Sequence, residues 1–455
     1  MMRPLLSTEL SSLYEGSAVT GAVEVLDFST DTRSLQAGDA YIALRGEHFD
    51  GHQFNRDAEA RGAALLVVDH PDTLATPQWI VPDTRLALGK LGAANRVLSA
   101  ASVVALTGSS GKTTTKEMLA MMLGACGTTL ATEGNLNNDI GVPKTLLRIA
   151  PEHEYAVLEL GANHVGEIAY TTALVRPDVA VIINAGSAHL AEFGSTERIR
   201  LAKGEILSGL SENGVAVLNL DDKGYAQWSA AAPGRVVSFS VKNPDADVLA
   251  TLEQVEDERT LVHLRGPDFE HSVVLPLVGA HNVANLAAAA AVMVALALPV
   301  HVWLPAIASV RHAPGRLVQH SFKGWRLIDD TYNANPESVA AAIDVLTTLP
   351  GQQILVLGEL GELGDHTQEA HEQIGRYARQ RIAAVWTYGD MARFSSSAFG
   401  KSGQHFASKA ELIAALHNKV VREKTGAVLI KGSRSAGMEE VVRGLINQLE
   451  QGATP

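Results

Sequence analysis

One stretch decides the fold of this chain: Val103-Val-Ala-Leu-Thr-Gly-Ser-Ser-Gly-Lys-Thr-Thr-Thr115. An apolar run enters a Gly/Ser turn and then a helix-forming segment, so the stretch predicts a strand, a loop and a helix. Backbone N–H groups at such a turn and at the start of a helix attract an anion. We therefore predict a nucleotide-binding phosphate loop that consists of Gly108, Ser109, Ser110, Gly111, Lys112, Thr113 and Thr114. In this loop Lys112 reaches the β- and γ-phosphates and the Thr113 hydroxyl holds Mg²⁺.

The loop departs from the general Walker pattern at one position. That pattern, G-x-x-x-x-G-K-[ST], places its first glycine five residues before Gly111, where this chain has Leu106. A helix cap with an incidental lysine is the alternative, and the preceding strand and following helix disfavour it. A phosphate loop does not separate a kinase, a GTPase, a motor and a ligase, so the rest of the chain has to decide.

Strands and helices alternate around the loop, which is typical of a parallel sheet. The central strands are predicted at Val103–Thr107, Tyr155–Leu160, Val179–Asn184 and Gly214–Leu220, with helices at Lys112–Leu123 and Thr196–Leu210. Residues Asp247–Leu277 alternate in polarity and predict antiparallel strands added to that sheet. We predict an α/β fold of three domains: a small N-terminal α/β substrate domain (1–98), a central P-loop ATPase domain with a parallel sheet (99–312) and a C-terminal Rossmann-like domain (313–455).

Composition narrows the class of protein. The formal net charge of −13 disfavours non-specific nucleic-acid binding, which needs many Lys and Arg side chains. Cys126 is the single cysteine, so no intramolecular disulfide forms and a reducing compartment is indicated. Residues Met1–Leu13 have no signal-peptide pattern, and the apolar run Leu286–Leu298 is shorter than the ~18 residues of a membrane span. We expect a cytoplasmic protein without a membrane or nucleic-acid partner.

Polar residues cluster where the predicted central strands end. Glu159 closes a buried strand, where a carboxylate is costly unless it is paired or bound to a metal ion. Carboxylate oxygens are ligands that Mg²⁺ prefers, so Glu159 is a candidate metal ligand. His189 follows the next strand and Lys203 lies on the helix after it. By themselves these two residues are typical of ordinary structural positions.

Six separated motifs, in this order, resemble the Mur ligase family, which shares its fold with folylpolyglutamate synthetase. The first is the phosphate loop, because Leu106 is normal in the family pattern T-G-[ST]-x-G-K-T. The other five are Thr132–Pro143, Leu158–Glu167, Asn184–His189, Ala202–Ile206 and His281–Asn285. The segments Pro314–Arg316 and Asp329–Pro336 continue the match, so the resemblance covers nearly the whole chain.

The resemblance implies roles for the matching residues. It implies that ATP and two Mg²⁺ ions bind the central domain, with metal ligands at Thr113, Glu159, His189 and a carbamylated Lys203. It also implies that Asn282 and Asn285 lie near the adenine, that Asp330 holds the ribose, and that Arg316 reaches the γ-phosphate. The implied catalytic residues are Lys112, Lys203, His189 and Arg316. Substrate-binding residues are expected at Arg33, Ser34, Asn135, Asn137, Asn138, Asn333, Asn335, Lys431 and Arg434.

The position within the family follows from three features. The N-terminal residues Asp31–Ser34 and Asp50–His52 resemble the UDP-sugar domain of the two later ligases of the peptidoglycan pathway. The D-N-P-R motif of the diaminopimelate-adding member is absent, whereas Tyr332–Pro336 and Gly358–Gly364 look like the dipeptide-adding member. The resemblance therefore implies a monomeric ATP-dependent amide ligase that joins D-alanyl-D-alanine to a UDP-linked muramoyl tripeptide through an acyl phosphate.

Two other classes of function stay open at this point. Another Mur-type ligase or a folylpolyglutamate synthetase would use the same chemistry, although the N-terminal domain disfavours the latter. A P-loop GTPase or nucleotide switch is the alternative from another class, and the chain lacks the N-K-x-D guanine motif. Because the candidate sites lie on three domains, we expect domain closure to assemble the reaction centre.

Overall fold

The structure is a computed structural model and describes residues 1, 3–46, 49–186, 190–256, 259–322 and 324–451. Its N-terminal part has a five-stranded sheet in the order Ala18–Val19, Gln78–Ile80, Leu65–Val68, Ala40–Ile42 and Phe28–Ser29. Two short antiparallel ladders flank it, Leu5–Leu6 with Glu24–Val25 and Arg45–Gly46 with Phe49–Asp50. The helices are Ser7–Leu10, Asn55–Ala60 and Thr84–Leu98, with a 3-10 turn at Gly51–Phe54.

The central part has a nine-stranded sheet. Its order is Thr129–Ala131, Tyr155–Glu159, Ser102–Thr107, Val179–Ile182, Val215–Asn219, Arg235–Ser240, Val248–Glu256, Arg259–Gly266 and Phe269–Leu275. The first seven strands are parallel, and the last two pairings in the sheet are antiparallel, as the sequence predicts for the region 247–277. The helices are Lys112–Gly124, Gly141–Leu147, Glu167–Val175, Leu190–Phe193, Thr196–Gly204, Tyr225–Ala231, Ala280–Ala295 and Val300–Trp303, with 3-10 turns at Glu205–Gly209 and Leu304–Ser309.

The strand before the phosphate loop is buried on both faces of the sheet. Val104 and Leu106 face one core, which the helix Lys112–Gly124 and the Ala-rich helix Ala280–Ala295 cover. Val103 and Ala105 face the opposite core. Alternate side chains of a strand point to opposite faces, so a near-continuous apolar run is what a doubly covered parallel strand requires. This burial makes the end of the strand a rigid platform for the loop.

The Ala-rich segment forms the buried helix Ala280–Ala295. Its small side chains let the helix lie close against the sheet and the P-loop helix, where Ala287–Ala291 are fully buried. Across the part of the chain that the structure describes, no helix combines the length and the apolar character needed to cross a membrane.

The C-terminal part has a six-stranded sheet in the order Val318–Phe322, Trp325–Asp330, Gly426–Lys431, Gln352–Leu357, Ala384–Tyr388 and Gly403–Phe406. The first pair is antiparallel and the remaining pairs are parallel. Its helices are Pro336–Thr347, Thr367–Arg379, Arg393–Phe399, Lys409–Arg422 and Glu439–Gln451, with 3-10 turns at Gly364–His366 and Arg434–Ala436. Helices cover both faces, which confirms the predicted α/β fold with a doubly wound C-terminal sheet.

Two features differ from the sequence prediction. The helix predicted at Thr196–Leu210 ends at Gly204 and continues as the 3-10 turn Glu205–Gly209. The helix Thr84–Leu98, which the sequence analysis did not identify, begins where the Asp83 side chain accepts hydrogen bonds from Arg85 N and Leu86 N. It packs on the central helix Gly141–Leu147, and tertiary packing of this kind contributes most of a helix's stability.

Candidate active site in the interdomain cleft

A cavity of about 890 Å³ lies between the central and C-terminal parts of the chain. The central part lines it with Ser109–Lys112 and Thr114 of the phosphate loop, with Asn135, Asn137 and Asn138, and with the start of the Ala-rich helix. The C-terminal part lines it with Pro314–Arg316, Asp329–Asn335, Gly361–Leu363, Lys431 and Arg434. The cavity therefore collects motifs from the carboxyl ends of two parallel sheets, which is where α/β proteins bind ligands.

The phosphate loop is held in shape by Asn184, which follows the neighbouring strand. Asn184 accepts from Ser110 N at 3.0 Å and donates to Ser110 O at 3.1 Å. Gly111 has a left-handed φ of 81°, and a Cβ at this position would collide with the amide oxygen of Asn285. Glycine is required at position 111 both by its backbone conformation and by this close approach.

Lys112 is the cation at the centre of the loop. Its Nζ donates to Gly108 O at 2.7 Å, which curls the side chain back over the loop. Burial lowers the pKa of Lys112, the charge of Glu159 acts to raise it, and Arg316 lowers it further. Lys112, Glu159 and Arg316 therefore act on one another within a single electrostatic site.

The Thr113 hydroxyl and Glu159 form the oxygen-rich side of the site. Thr113 Oγ1 donates to Glu159 Oε2 at 3.0 Å, and Asn137 Nδ2 donates to Glu159 Oε1 at 2.8 Å. Glu159 is 2% exposed, and its backbone N donates to Thr132 Oγ1 at 3.0 Å. A buried carboxylate and a hydroxyl at this distance are oxygen donors of the kind that suits Mg²⁺.

Lys203 is an unusual buried lysine close to this site. It is 1% exposed, and its Nζ has no hydrogen-bond partner among the described residues. Its Nζ lies 5.7 Å from the centre of the Phe193 ring. Burial and then the charge of Lys112 lower the pKa of Lys203 to about 7. At neutral pH a large fraction of this amine is therefore uncharged and nucleophilic.

Arg316 reaches the phosphate loop from the C-terminal side. Its Nη2 donates to Thr113 Oγ1 at 3.0 Å, and its guanidinium lies 4.3 Å from the centre of the Tyr332 ring. Gly315 has φ +67°, and its carbonyl accepts from Tyr332 N at 3.0 Å. The turn before Arg316 is thereby tied to the segment that carries Tyr332, which aims the guanidinium across the cleft.

Asp330 and Lys431, for which the sequence suggests separate ligands, form a buried pair. Lys431 Nζ donates to Asp330 Oδ2 at 2.6 Å and to Asn333 O at 2.9 Å. The Lys431 side chain is 4% exposed. Asp330 Oδ1 also accepts from Leu317 N at 3.2 Å. Lys431 is therefore engaged in orienting Asp330 at the cavity wall, and a direct contact between Lys431 and substrate stays a prediction.

Several other predicted residues are placed by local capping bonds. Asn335 caps the helix Pro336–Thr347, because Asn335 Oδ1 accepts from Ser338 N at 2.8 Å. Asn138 Oδ1 accepts from Gly141 N at 2.9 Å. Asn285 Nδ2 donates to Asn282 Oδ1 at 3.2 Å. The predicted residues that line the cavity are Ser109, Ser110, Gly111, Lys112, Thr114, Asn135, Asn137, Asn138, Glu159, Asn282, Asn285, Arg316, Asp330, Asn333, Asn335, Lys431 and Arg434.

The structure does not bring every predicted residue to this cavity. Arg33 pairs with Asp31 at 2.6 Å and, like Ser34, lies in the N-terminal sheet region outside the cavity lining. Gly108, Thr113 and Lys203 are not part of the cavity lining, and Lys203 is buried. His189 falls outside the described residues.

Two residues that shape the site were not predicted from the sequence. Asn184 begins one of the motifs, and its side chain holds the phosphate loop through two hydrogen bonds. Lys116 is 1% exposed and donates to Thr132 O at 2.7 Å. The position of Asn184 at a strand end beside the loop is a signal that could have identified it.

Comparison with known proteins shows similarity along the whole chain. Residues 28–103 match the Mur ligase family catalytic domain, residues 106–293 the Mur ligase middle domain, and residues 315–434 the Mur ligase glutamate ligase domain. The chain is 45% identical over 447 residues to the UDP-N-acetylmuramoyl-tripeptide–D-alanyl-D-alanine ligase of Escherichia coli K12, covering 97% of this chain and 99% of that protein.

Solved structures show the same similarity in three dimensions. MurF from Acinetobacter baumannii aligns with a TM-score of 0.92 at 38% identity, covering 98% of this chain and 99% of that one. MurF from Thermotoga maritima, solved in complex with ADP, aligns with a TM-score of 0.86 at 30% identity, covering 94% of this chain and 98% of that one.

Proposed function

This chain belongs to the Mur ligase family, and we propose on that basis that it is the ATP-dependent ligase that adds D-alanyl-D-alanine to UDP-N-acetylmuramoyl-tripeptide in peptidoglycan synthesis. The observation that carries the proposal is the convergence of Lys112, Glu159 and Arg316 on one interdomain cavity. Full-length relatives that carry this name are 33–45% identical to the chain. The protein is thus a peptidoglycan ligase and not a nucleotide switch.

The reaction needs an activated carboxyl group, because a free carboxylate has a poor leaving group. The tripeptide carboxylate attacks the γ-phosphorus of ATP, forming a C–O–P linkage and releasing ADP. The dipeptide amine then attacks the acyl carbon, so that a C–N bond forms, the C–O bond breaks and phosphate leaves with a proton released. Lys112 and Arg316 offset the repulsion between the carboxylate and the γ-phosphate, and catalysis is mainly positioning and charge neutralisation.

Thr113 and Glu159 would supply oxygen ligands that suit Mg²⁺, and His189 and the modified Lys203 would be the further ligands. When bound, Mg²⁺ contributes positive charge at the phosphates. Arg316 holds the Thr113 hydroxyl from one side and Glu159 holds it from the other. The chain therefore positions this hydroxyl with two ionic groups of opposite sign.

Lys203 is the proposed carbamylated ligand. An uncharged amine attacks CO₂, a C–N bond forms, and loss of one proton leaves a carbamate anion. A pKa lowered to about 7 favours the uncharged amine, and the buried Nζ, without a hydrogen-bond partner among the described atoms, suits an oxygen-bearing extension. The carbamate offers two oxygens that share one negative charge, in place of a cation.

The remaining assignments complete the proposal. The adenine lies near Asn282 and Asn285, and Asp330 binds the ribose. The chain divides into a substrate domain of residues 1–98, an ATPase domain of residues 99–312 and a C-terminal domain of residues 313–455. On the first of these, Arg33 and Ser34 contact the UDP-sugar. The peptide part is contacted by Asn135, Asn137, Asn138, Asn333, Asn335, Lys431 and Arg434. The enzyme works as a monomer in the cytoplasm.

The test is phosphate release from ATP with UDP-muramoyl-tripeptide, measured with and without D-alanyl-D-alanine. Release that requires both substrates supports the proposal. Release driven instead by a free amino acid and a shorter precursor, or by folate and glutamate, would place the protein elsewhere among such ligases. Release that needs no acceptor would contradict the ligase function.

A further inference from the structure

Lys116 is a buried cation to which the reaction described above gives no role. It lies one turn after Lys112 on the helix Lys112–Gly124, and it is 1% exposed. Removing an ammonium group from water is costly unless hydrogen bonds and opposite charge compensate it. The reason for a lysine at this position therefore has to lie in the contacts that it makes.

The Nζ atom of Lys116 has two partners. It lies 2.9 Å from Glu117 Oε1, but the Glu117 side chain is 42% exposed, and ion pairs that water reaches contribute little to stability. It also donates to Thr132 O at 2.7 Å, and both of these residues are buried. The bond to Thr132 is therefore the contact through which Lys116 acts on the rest of the structure.

Thr132 is the residue at which the chain leaves a strand of the central sheet and enters the loop 133–138. Thr132 N donates to Val157 O at 2.9 Å, and Thr132 Oγ1 accepts from Glu159 N at 3.0 Å. These bonds hold Thr132 against the neighbouring strand, and the bond from Lys116 fixes the direction of its carbonyl group. The path by which the chain enters the loop is thereby set. The loop residues that line the cavity are Gly134, Asn135, Asn137 and Asn138.

The other end of the loop is held by Asn137. Asn137 Nδ2 donates to Glu159 Oε1 at 2.8 Å, and Gly161 N donates to Asn137 O at 2.8 Å. The residues between Thr132 and Asn137 are therefore suspended between two fixed points. One of them is Asn135, for which a substrate contact is predicted.

We propose that Lys116 is a positioning residue that fixes, through Thr132, the loop 133–138 for the binding of UDP-muramoyl-tripeptide. This inference rests on the proposed function, because it concerns the binding of one substrate of the same reaction. The helix that begins with Lys112 at the phosphates thus also carries the anchor of the substrate loop, so the two binding regions keep a fixed distance. Natural proteins retain stability costs of this kind where function requires them.

The direct test is Lys116→Met, which keeps the length and packing of the side chain but removes its charge and its donor. We expect the KM for UDP-muramoyl-tripeptide to rise by about 10-fold, because a hydrogen bond to a charged group contributes about this factor or more. The KM for ATP should change little. The Tm should also change little, because removal of a costly buried charge offsets the lost hydrogen bond.

Two control variants separate the bond to Thr132 from the other ion pairs nearby. Glu117→Gln removes the charged partner of Lys116 and leaves the bond to Thr132 in place. Arg148→Gln removes the ion pair of 2.8 Å with Glu133 on the same loop, in which both side chains are exposed. Both controls should keep the wild-type KM for UDP-muramoyl-tripeptide.

Two outcomes of the Lys116→Met measurement would overturn the proposal. The first is an unchanged KM for UDP-muramoyl-tripeptide. The second is a decline of the Tm together with every kinetic constant, because that pattern indicates a general structural role and not the positioning of one loop.

Hydrogen exchange observes the loop directly and needs no substrate. In Lys116→Met the backbone amides of the loop 133–138 should exchange about 10-fold faster, because the loop opens more readily without its first anchor. The amides of the strand Tyr155–Glu159 should keep their rates. Unchanged exchange in the loop, or equally faster exchange in the strand, would contradict the role of Lys116.

Thr132 provides a second pair of variants in which Lys116 is intact. Thr132→Ser keeps the hydroxyl that accepts from Glu159 N, whereas Thr132→Val removes it, and both keep the carbonyl. We expect the valine variant to raise the KM for UDP-muramoyl-tripeptide and the serine variant to retain it. Because Lys116 and the hydroxyl hold the same residue, Lys116→Met combined with Thr132→Val should cost less than the sum of the single effects. Equal KM values for the serine and valine variants, or fully additive effects, would count against a common anchor at Thr132.

The proposed function and the role of Lys116 can fail separately. A wild-type enzyme whose phosphate release does not require UDP-muramoyl-tripeptide would remove the proposed function and the substrate assigned to the loop. A wild-type enzyme that requires both substrates, with the KM and the loop exchange of Lys116→Met unchanged, would keep the ligase function and reject only the role of Lys116.

Discussion

The guanidinium of Arg316 donates to Thr113 Oγ1 at 3.0 Å and so joins two residues that are 203 positions apart. The same hydroxyl donates to Glu159, so a cation, a hydroxyl and a carboxylate form one continuous line from the C-terminal to the central sheet. This line passes through the phosphate loop, next to Lys112. The relative position of the two domains is therefore coupled directly to the groups that receive the γ-phosphate.

Arg316 should contribute to the rate more than to folding. Arg316→Ala removes a preorganised positive charge at the phosphates, and we expect kcat to fall by about 10²- to 10³-fold. Arg311→Ala is the control, since Arg311 donates to Ala308 O and Val310 O and lies outside the cavity lining. The kcat for phosphate release is measured for both variants, and equal values would argue against a role of Arg316 at the γ-phosphate.

Lys203 should incorporate CO₂. Labelling with ¹³C-bicarbonate should give a carbamate carbonyl signal that disappears in Lys203→Arg, and this variant should lose most of its activity. Lys116 is the internal control because it is equally buried, but its Nζ donates to Thr132 O and pairs with Glu117. A signal that persists in Lys203→Arg would show that the modified lysine lies elsewhere.

Glu159 should determine the Mg²⁺ requirement. Glu159→Gln preserves the shape of the side chain but removes its charge, so the Mg²⁺ concentration for half-maximal activity should rise by about 10- to 100-fold. Glu154→Gln, on the exposed residue that directly precedes the strand Tyr155–Glu159, should leave this concentration unchanged. The measurement is a magnesium titration at saturating ATP, and a parallel response of both variants would contradict the assignment.

His371 should make the C-terminal domain sensitive to acid. The unfolded chain takes up a proton on this histidine below about pH 6.5, whereas burial lowers the folded pKa to about 4. Stability is therefore lost as pH falls from 6.5 toward 4, by up to about 3 kcal/mol from this residue. Thermal unfolding should show that wild type loses more stability on acidification than His371→Gln does. A constant difference between the two proteins across this window would contradict the buried neutral imidazole.

The sequence was sufficient to predict the strand–loop–helix at residues 103–124 and the three α/β parts of the fold. These features depend on short-range patterns, since an apolar run, a Gly/Ser turn and a helix follow one another directly. The helix Thr84–Leu98 was not predicted, although Asp83 is a local N-cap signal for it, and its packing partner Gly141–Leu147 is distant in sequence. The partner of Asn184 in the phosphate loop is 74 positions away, so the hydrogen bonds between them are evident only in the structure.

The sequence by itself determined which chemical groups the protein contains and in which motifs they occur, because the spacing of residues within a motif is fixed along the chain. Only the tertiary structure decided how those groups are used. It paired Lys431 with Asp330, buried the Lys203 amine without a hydrogen-bond partner among the described residues, and brought Arg316 onto Thr113. Each of these outcomes depends on residues that are distant in sequence: Lys431 and Asp330 lie on neighbouring strands of the C-terminal sheet, and the Arg316–Thr113 contact joins two domains. Burial and distance, which set charge interactions and pKa values, exist only once the chain has folded.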